Sequence, residues 1–270
     1  MHIPPEDRSG VLKGDSRRRS VPDTFNLFGV DVSITSSEQV CELIESWACY
    51  DGEAHSVAFP DTHALVKAHD NDQMCAALAD ADVVCPDGHP IAFLGRWLKG
   101  VPANRTCGPD TMLALCRRSP KSGLRHYFYG AGPGVAEKLA DEFKRLFPGI
   151  KIVGAESPPM RPLTPEEDAV AMDRILKSRP NVLWVGLGAP KQEIWMLNHK
   201  KHLPGVTLLA VGAAFDFHSG RIKRAPSWMR RIGMEWIYRA GSEPKRLGSR
   251  YLKVIPRFMF LASREIFVRR

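Results

Sequence analysis

Three aspartates stand where short apolar runs give way to turns. They are Asp61 after HSVAFP, Asp87 in PDG, and Asp216 in GAAFDFHSGRIKRAP. A carboxylate at such a place can orient a sugar hydroxyl or accept its proton. PDG also reads as a plain turn, and Asp216 equally as a helix N-cap. GLGAPKQEIW, from Gly186 to Trp195, closes the hydrophobic run NVLWVGL in a glycine turn and opens a helix at Pro190. Such a turn leaves backbone N–H groups free to hold an anion. Beyond Gly188, Lys191, Gln192 and Glu193 add a cation, an amide and a carboxylate. GAGPG, with Gly130 and Gly132, is a second strand-to-helix turn, and Glu156 ends the next strand-like run. A dinucleotide fingerprint asks for GxGxxG, so GxGxG reads equally as a nucleotide turn or a tight turn. Arg105, near Gly108 and Asp110, can bind an anion or pair locally. The set suits a nucleotide-using enzyme better than a scaffold.

The elements that must hold these residues alternate. TFNLFGVDVSI, HSVAFPD, DVVCPDG, HYFYG, KIVGAE, NVLWVGLG and VTLLAVGAAFD read as strands. Helices are predicted over Ser37–Tyr50, Thr62–Ala79, Pro90–Leu98, Asp110–Arg118, Val135–Phe147, Pro165–Ser178 and Pro190–His199. The rhythm predicts an α/β fold, Rossmann-like, with a mostly parallel sheet and helices on both faces. Ligands in such sheets sit beyond the carboxyl ends of the strands. Asp61, Asp87, Gly130, Gly188 and Asp216 all fall there in this reading.

Charge divides the chain. From Arg221 onward there are 14 Lys/Arg and 3 Asp/Glu, whereas the first 220 residues hold 24 and 27. We therefore expect a leader over 1–22 that is basic and disordered, a catalytic domain over 23–220, and a basic helical appendage over 221–270. In the appendage Trp228, Ile232 and Trp236 recur at spacing four after Pro226. A second helix from about Pro244 lines up Arg246, Arg250, Lys253, Arg257 and Arg264 on one stripe, with a kink at Pro256. Tyr251, Val254, Ile255, Phe258 and Ala262 form the neighbouring apolar face, which suits an anionic membrane surface. No run approaches the roughly 20 apolar residues of a membrane-spanning helix, and no signal peptide is evident. The six cysteines lack CxxC or zinc spacing and read as reduced thiols.

Taken in order, PDG at Asp87, RxxGxD from Arg105, GAPKQExW from Gly188, VGAAFDxxxGxxxRAP from Val211 and GMEWIYRxxxEPKR from Gly233 strongly resemble the WecG/TagA/CpsF family of bacterial glycosyltransferases. The likeness spans about residues 24–252. It implies an inverting transfer from a UDP-sugar to a saccharide on a polyprenyl diphosphate, serving surface polysaccharide synthesis. It implies a peripheral enzyme on the cytoplasmic face of the membrane, with no essential metal and no cofactor. By the same resemblance Asp87 is the base, and Gln192 and Asp216 line the nucleotide site. Arg239 and Arg246 then reach over the diphosphate. Three departures stand out. Asp61 replaces an Asn common after the second strand and adds a second candidate base. SPPMRPL replaces a glycine–aromatic loop. Ser249 stands where an arginine often follows EPKR, with Arg250 beside it.

An exposed aspartate has a pKa near 3.9, so Asp87 is expected to act late, as the attacking hydroxyl acidifies. The transferred sugar, the acceptor glycan and the oligomeric state (a homo-oligomer included) stay open. The other readings are a nicotinamide-dependent oxidoreductase and a nucleic-acid-binding protein acting through the tail. No nucleic acid is expected as a partner.

Overall fold

The computed structural model describes residues 20–50 and 52–267. The predicted leader lies almost wholly outside them. The first strand-like stretch is a hairpin rather than one strand. β1 (Thr24–Leu27) and β2 (Val30–Ser33) pair antiparallel. Phe28 and Gly29 turn between them at φ 56° and 87°. Then follow α1 (Ser37–Tyr50), β3 (His55–Ala58), α2 (Thr62–Asp70), α3 (Asp72–Ala79), β4 (Val83–Val84), α4 (His89–Lys99) and α5 (Gly108–Ser122). The stretch expected as one helix over Thr62–Ala79 breaks at Asn71. That residue is extended, and its side chain caps α3 by accepting from the Met74 N–H at 2.8 Å.

The second half comprises β5 (Arg125–Gly130), α6 (Val135–Leu146), β6 (Lys151–Glu156), α7 (Pro165–Ser178), β7 (Val182–Gly186), α8 (Lys191–His199) and β8 (Thr207–Ala210). α9 (Ala214–His218), α10 (Ser227–Arg231), α11 (Glu235–Ser242) and α12 (Pro244–Phe267) complete the described chain. The last strand stops at Ala210, so Asp216 lies in the first turn of α9 and not at a strand end.

Six strands form one parallel sheet in the order β4-β3-β8-β7-β5-β6. β3, β7 and β8 are buried along their whole length, as parallel strands covered on both faces must be. One core joins α1, α5, α6 and α9 to the sheet through Trp47, Leu115, Phe143 and Phe215. Another joins α7 and α8 to the sheet through Ile175, Met196 and Leu208. A third gathers the hairpin, α2, α3, α4 and α12. The order reverses twice. β3 is followed along the chain by β4 on one side but meets β8 on the other; β5 stands likewise between β6 and β7. Each reversal opens a crevice above the carboxyl ends.

The C-terminal stretch departs from its sequence reading in two ways. Trp228, Ile232 and Trp236 do not share one helix, because the chain turns between α10 and α11 at Gly233, φ 79°. A Cβ at Gly233 would lie 3.0 Å from the His89 ring, so this turn sits directly on the head of α4. Second, most of the apolar face of α12 is covered. Val254, Phe258 and Ala262, with Leu261, are buried against the hairpin and α4, and Phe258 meets Phe28 edge-on at 5.4 Å. Val254, Phe258 and Leu261 each contribute roughly 1.5–3 kcal/mol by leaving water. Arg257–Asp70 at 2.6 Å and Lys99–Glu265 at 3.1 Å fasten the same helix to α2 and α4.

Candidate functional site

The first crevice collects acids and arginines. Asp61 caps α2, its Oδ1 accepting from the Ala64 N–H at 2.9 Å. Its Oδ2 accepts from Arg250 of α12 at 2.5 Å. Asp87 follows the next strand and stands just before α4. Its N–H donates to the Pro60 carbonyl at 3.3 Å, which ties the two turns together. Gly88 supplies the φ of 128° that lets α4 start immediately. Two residues expected from distant parts of the sequence, Asp61 and Arg250, are thus in direct contact, with Asp87 close by.

Asp87 is not the ordinary exposed carboxylate that its sequence suggested. Burial pushes its pKa up to about 7, aided by Asp61 and Glu235 and opposed by Arg105 and Arg224. A quarter of the side chain (25%) remains open to solvent. A carboxylate of that proton affinity is a far better match to a hydroxyl near neutral pH than one at 3.9.

Arg105 does not lie free to take an anion. Its guanidinium donates to Glu235 Oε2 at 2.8 Å and stands 3.9 Å from both Asp87 and Asp110. Arg224 grips Asp110 through both terminal nitrogens and donates from Nε to Glu235 at 3.2 Å. Arg230 adds a contact to Asp110 at 3.4 Å. Sequence reasoning missed Arg224 and Glu235 as parts of this network. Glu235 lies 130 residues beyond Arg105, a separation at which no local pattern signals pairing. Arg239 packs over the Phe217 ring at 5.7 Å, and its buried Nε has no partner among the described residues. Arg246 lies in α12, but its side chain is outside what is described.

The second crevice carries the glycine turns. A Cβ on Gly130 would meet the Gly186 backbone at 2.5 Å, so β5 and β7 can pair this closely only with glycine there. The Gly132 turn lies against Arg221, whose guanidinium donates to Asp216 at 3.1 Å. Gly132 and Asp216 therefore share one wall. Gly188 adopts φ 78°, and its N–H donates to Gln192 Oε1 at 3.1 Å. The other end of that amide donates to Glu193 at 2.9 Å. Gln192, only 4% exposed, thus braces the turn from beneath. Glu156, the last residue of β6, is taken by Tyr127 and Arg174.

Glu193 is the other group that sequence reasoning left without a role. It is 1% exposed, its second carboxyl oxygen has no partner among the described residues, and burial with help from Asp61 raises its pKa to about 7. It lies within electrostatic reach of Asp61. Among the described residues no three potential metal ligands converge.

The family described as "Glycosyl transferase WecG/TagA/CpsF family" matches residues 25–270. An N-acetylglucosaminyldiphosphoundecaprenol N-acetyl-beta-D-mannosaminyltransferase from Bacillus spizizenii is 31% identical over 193 residues, covering 72% of each chain. The enzyme of the same name from Bacillus subtilis is 28% identical over 188 residues, covering 70% of this chain and 71% of its own. None of these three matches lends support to the dehydrogenase or nucleic-acid readings.

Proposed function

As this chain belongs to the WecG/TagA/CpsF family of glycosyl transferases, we propose that it moves a sugar from a UDP-sugar to a saccharide carried on a polyprenyl diphosphate, with inversion. Asp87 carries the reading, because its raised proton affinity matches the task of a general base. The acceptor hydroxyl oxygen attacks the anomeric carbon while its proton passes to Asp87. The bond from that carbon to the diphosphate breaks, and UDP leaves with the electron pair. The glycine turns at Gly130, Gly132 and Gly188, shaped by Gln192, hold the nucleotide with Asp216. Arg239, Arg246 and Arg250 offset the charge that develops on the diphosphate, with no metal required. Asp61, already paired with Arg250, faces the acceptor.

The protein works at the inner face of the cell membrane. No helix among the described residues is long and apolar enough to cross a bilayer. The exposed side of α12, opposite its packed face, carries Leu252, Ile255, Met259 and Phe260. Phe93 and Trp97 stack on the exposed side of α4, whose head lies beside Asp87. These groups, with exposed Lys253 and Arg264, suit an interface of acyl chains and anionic headgroups.

UDP release measured with a panel of UDP-sugars and a short-chain lipid diphosphate acceptor tests the reading. The names of the relatives make UDP-N-acetylmannosamine the first donor to try. Asp87→Asn should lower kcat by about 10²–10⁴-fold while UDP binding persists. Near-normal turnover in that variant would remove Asp87 from the role.

A further inference from the structure

We infer that Glu235 is a positioning residue: by holding Arg105 away from Asp87, it keeps that carboxylate a competent base, and it does so only while residues 227–242 are docked on the body. The inference rests on Asp87 being the base of the proposed reaction.

The geometry is a competition for one guanidinium. Arg105 makes its close contact with Glu235, at 2.8 Å, and leaves 3.9 Å to Asp87. Glu235 is the first residue of α11, so only the fold of the C-terminal stretch brings it there. Its other oxygen accepts from Arg224 at 3.2 Å, and Arg224 is anchored on Asp110, which also contacts Arg230 of α10. The Gly233 turn resting on the His89 ring fixes the start of α11 relative to α4. The acids and cations of three separate chain segments thus satisfy one another. Asp87 receives only the long, weak contact.

Without Glu235, Arg105 has Asp87 and Asp110 as its remaining near carboxylates. A cation in direct contact lowers a carboxylate pKa by about 1–3 units, and loss of a neighbouring negative charge lowers it further. The charged groups facing Asp87 are Arg105 from the segment before α5, Asp61 from the β3–α2 turn, Glu235 from α11 and Arg224 from the segment before α10, and the buried Cys85 and Cys107 thiols nearby are held neutral by burial. Of these, Glu235 alone both repels the Asp87 charge and restrains its nearest cation.

The test is the acid limb of kcat/KM against pH, which reports the free enzyme. It uses the full chain, a UDP-sugar and a soluble lipid-diphosphate analogue. The wild-type limb should lie near 7. In Glu235→Gln it should move to lower pH by on the order of one unit, with a plateau several-fold slower. Glu235→Asp, which keeps the charge on a shorter arm, should fall between the two. If Glu235→Gln does not fold, the Glu235→Asp limb decides alone. An acid limb that stays in place in the variants, even with the plateau lowered, overturns the inference and leaves Asp87 as the base. An Asp87→Asn enzyme that still turns over, with the limb intact, overturns the proposed mechanism itself.

Discussion

Glu193 sits where an ionised side chain is costly. Its carboxyl is buried, one oxygen is taken by Gln192, and the other has no partner among the described residues. Its pKa, about 7 in the fold, lies above the value of about 4.3 expected in the unfolded chain. The folded state therefore holds a proton that the unfolded state has lost between pH 4.3 and 7. Stability falls as pH rises through that window and levels off above it. Glu193→Gln keeps the acceptor for Gln192 and removes the titration. Urea unfolding should find it more stable than wild type by on the order of 3 kcal/mol at pH 8, with the gap closing towards pH 4.5. A gap that stays flat across the window would show that Glu193 is not the titrating group. A variant that is more stable and yet slower would mark an acid retained for the reaction.

At the scale of elements, β5, β7 and α5 are cross-linked by one buried chain of hydrogen bonds. Trp184 Nε1–H donates to His126 Nδ1 at 3.1 Å. His126 Nε2 lies 2.7 Å from Ser119 Oγ, which donates to the Leu115 carbonyl at 2.7 Å. With Nδ1 accepting, Nε2 must carry the hydrogen, so the ring is neutral. Burial lowers its pKa to about 3. This stabilisation is complete above the unfolded value of about 6.5 and is lost as pH falls from there towards 3, roughly 3 kcal/mol of it by pH 4. NMR should show the His126 ring not titrating between pH 8 and 5. A midpoint near 6.5 in the folded protein would refute the neutral, buried ring. Most elements were legible because their signals are local. Ser37–Tyr50 follows from periodicity, since Val40, Leu43, Ile44 and Trp47 share one face, and the βαβ rhythm implied the parallel sheet. The hairpin at Phe28–Gly29 was hidden because apolar residues run through the turn. The break at Asn71 was hidden because one residue suffices to cap a new helix. Asp87 was legible as a position, but its proton affinity was not, since that depends on Asp61, Arg105 and Glu235 arriving from other segments.

For the molecule as a whole, the tail is both a packed element and an exposed one. Removing α12 would uncover the core that Val254, Phe258 and Leu261 complete, so a truncation confounds membrane release with unfolding. Two of the five basic residues on the stripe, Arg250 and Arg257, are likewise held by Asp61 and Asp70. Point changes on the outward face separate the effects. Leu252→Ser with Met259→Ser should leave the thermal midpoint within a few degrees, because surface substitutions cost at most about 0.5 kcal/mol. The pair should also reduce co-sedimentation with anionic liposomes several-fold. Undiminished sedimentation with both changes would mean that this face does not meet lipid.

The contacts that finish the first crevice all reach backward along the chain, Glu235 to Arg105 and Arg250 to Asp61. During synthesis the sheet and its glycine turns emerge well before α11 and α12. A nascent chain can thus assemble the second crevice while Glu235 and Arg250, the partners of Arg105 and Asp61, are still inside the ribosome. On this layout the first crevice is completed late, only once α11 and α12 have both been made.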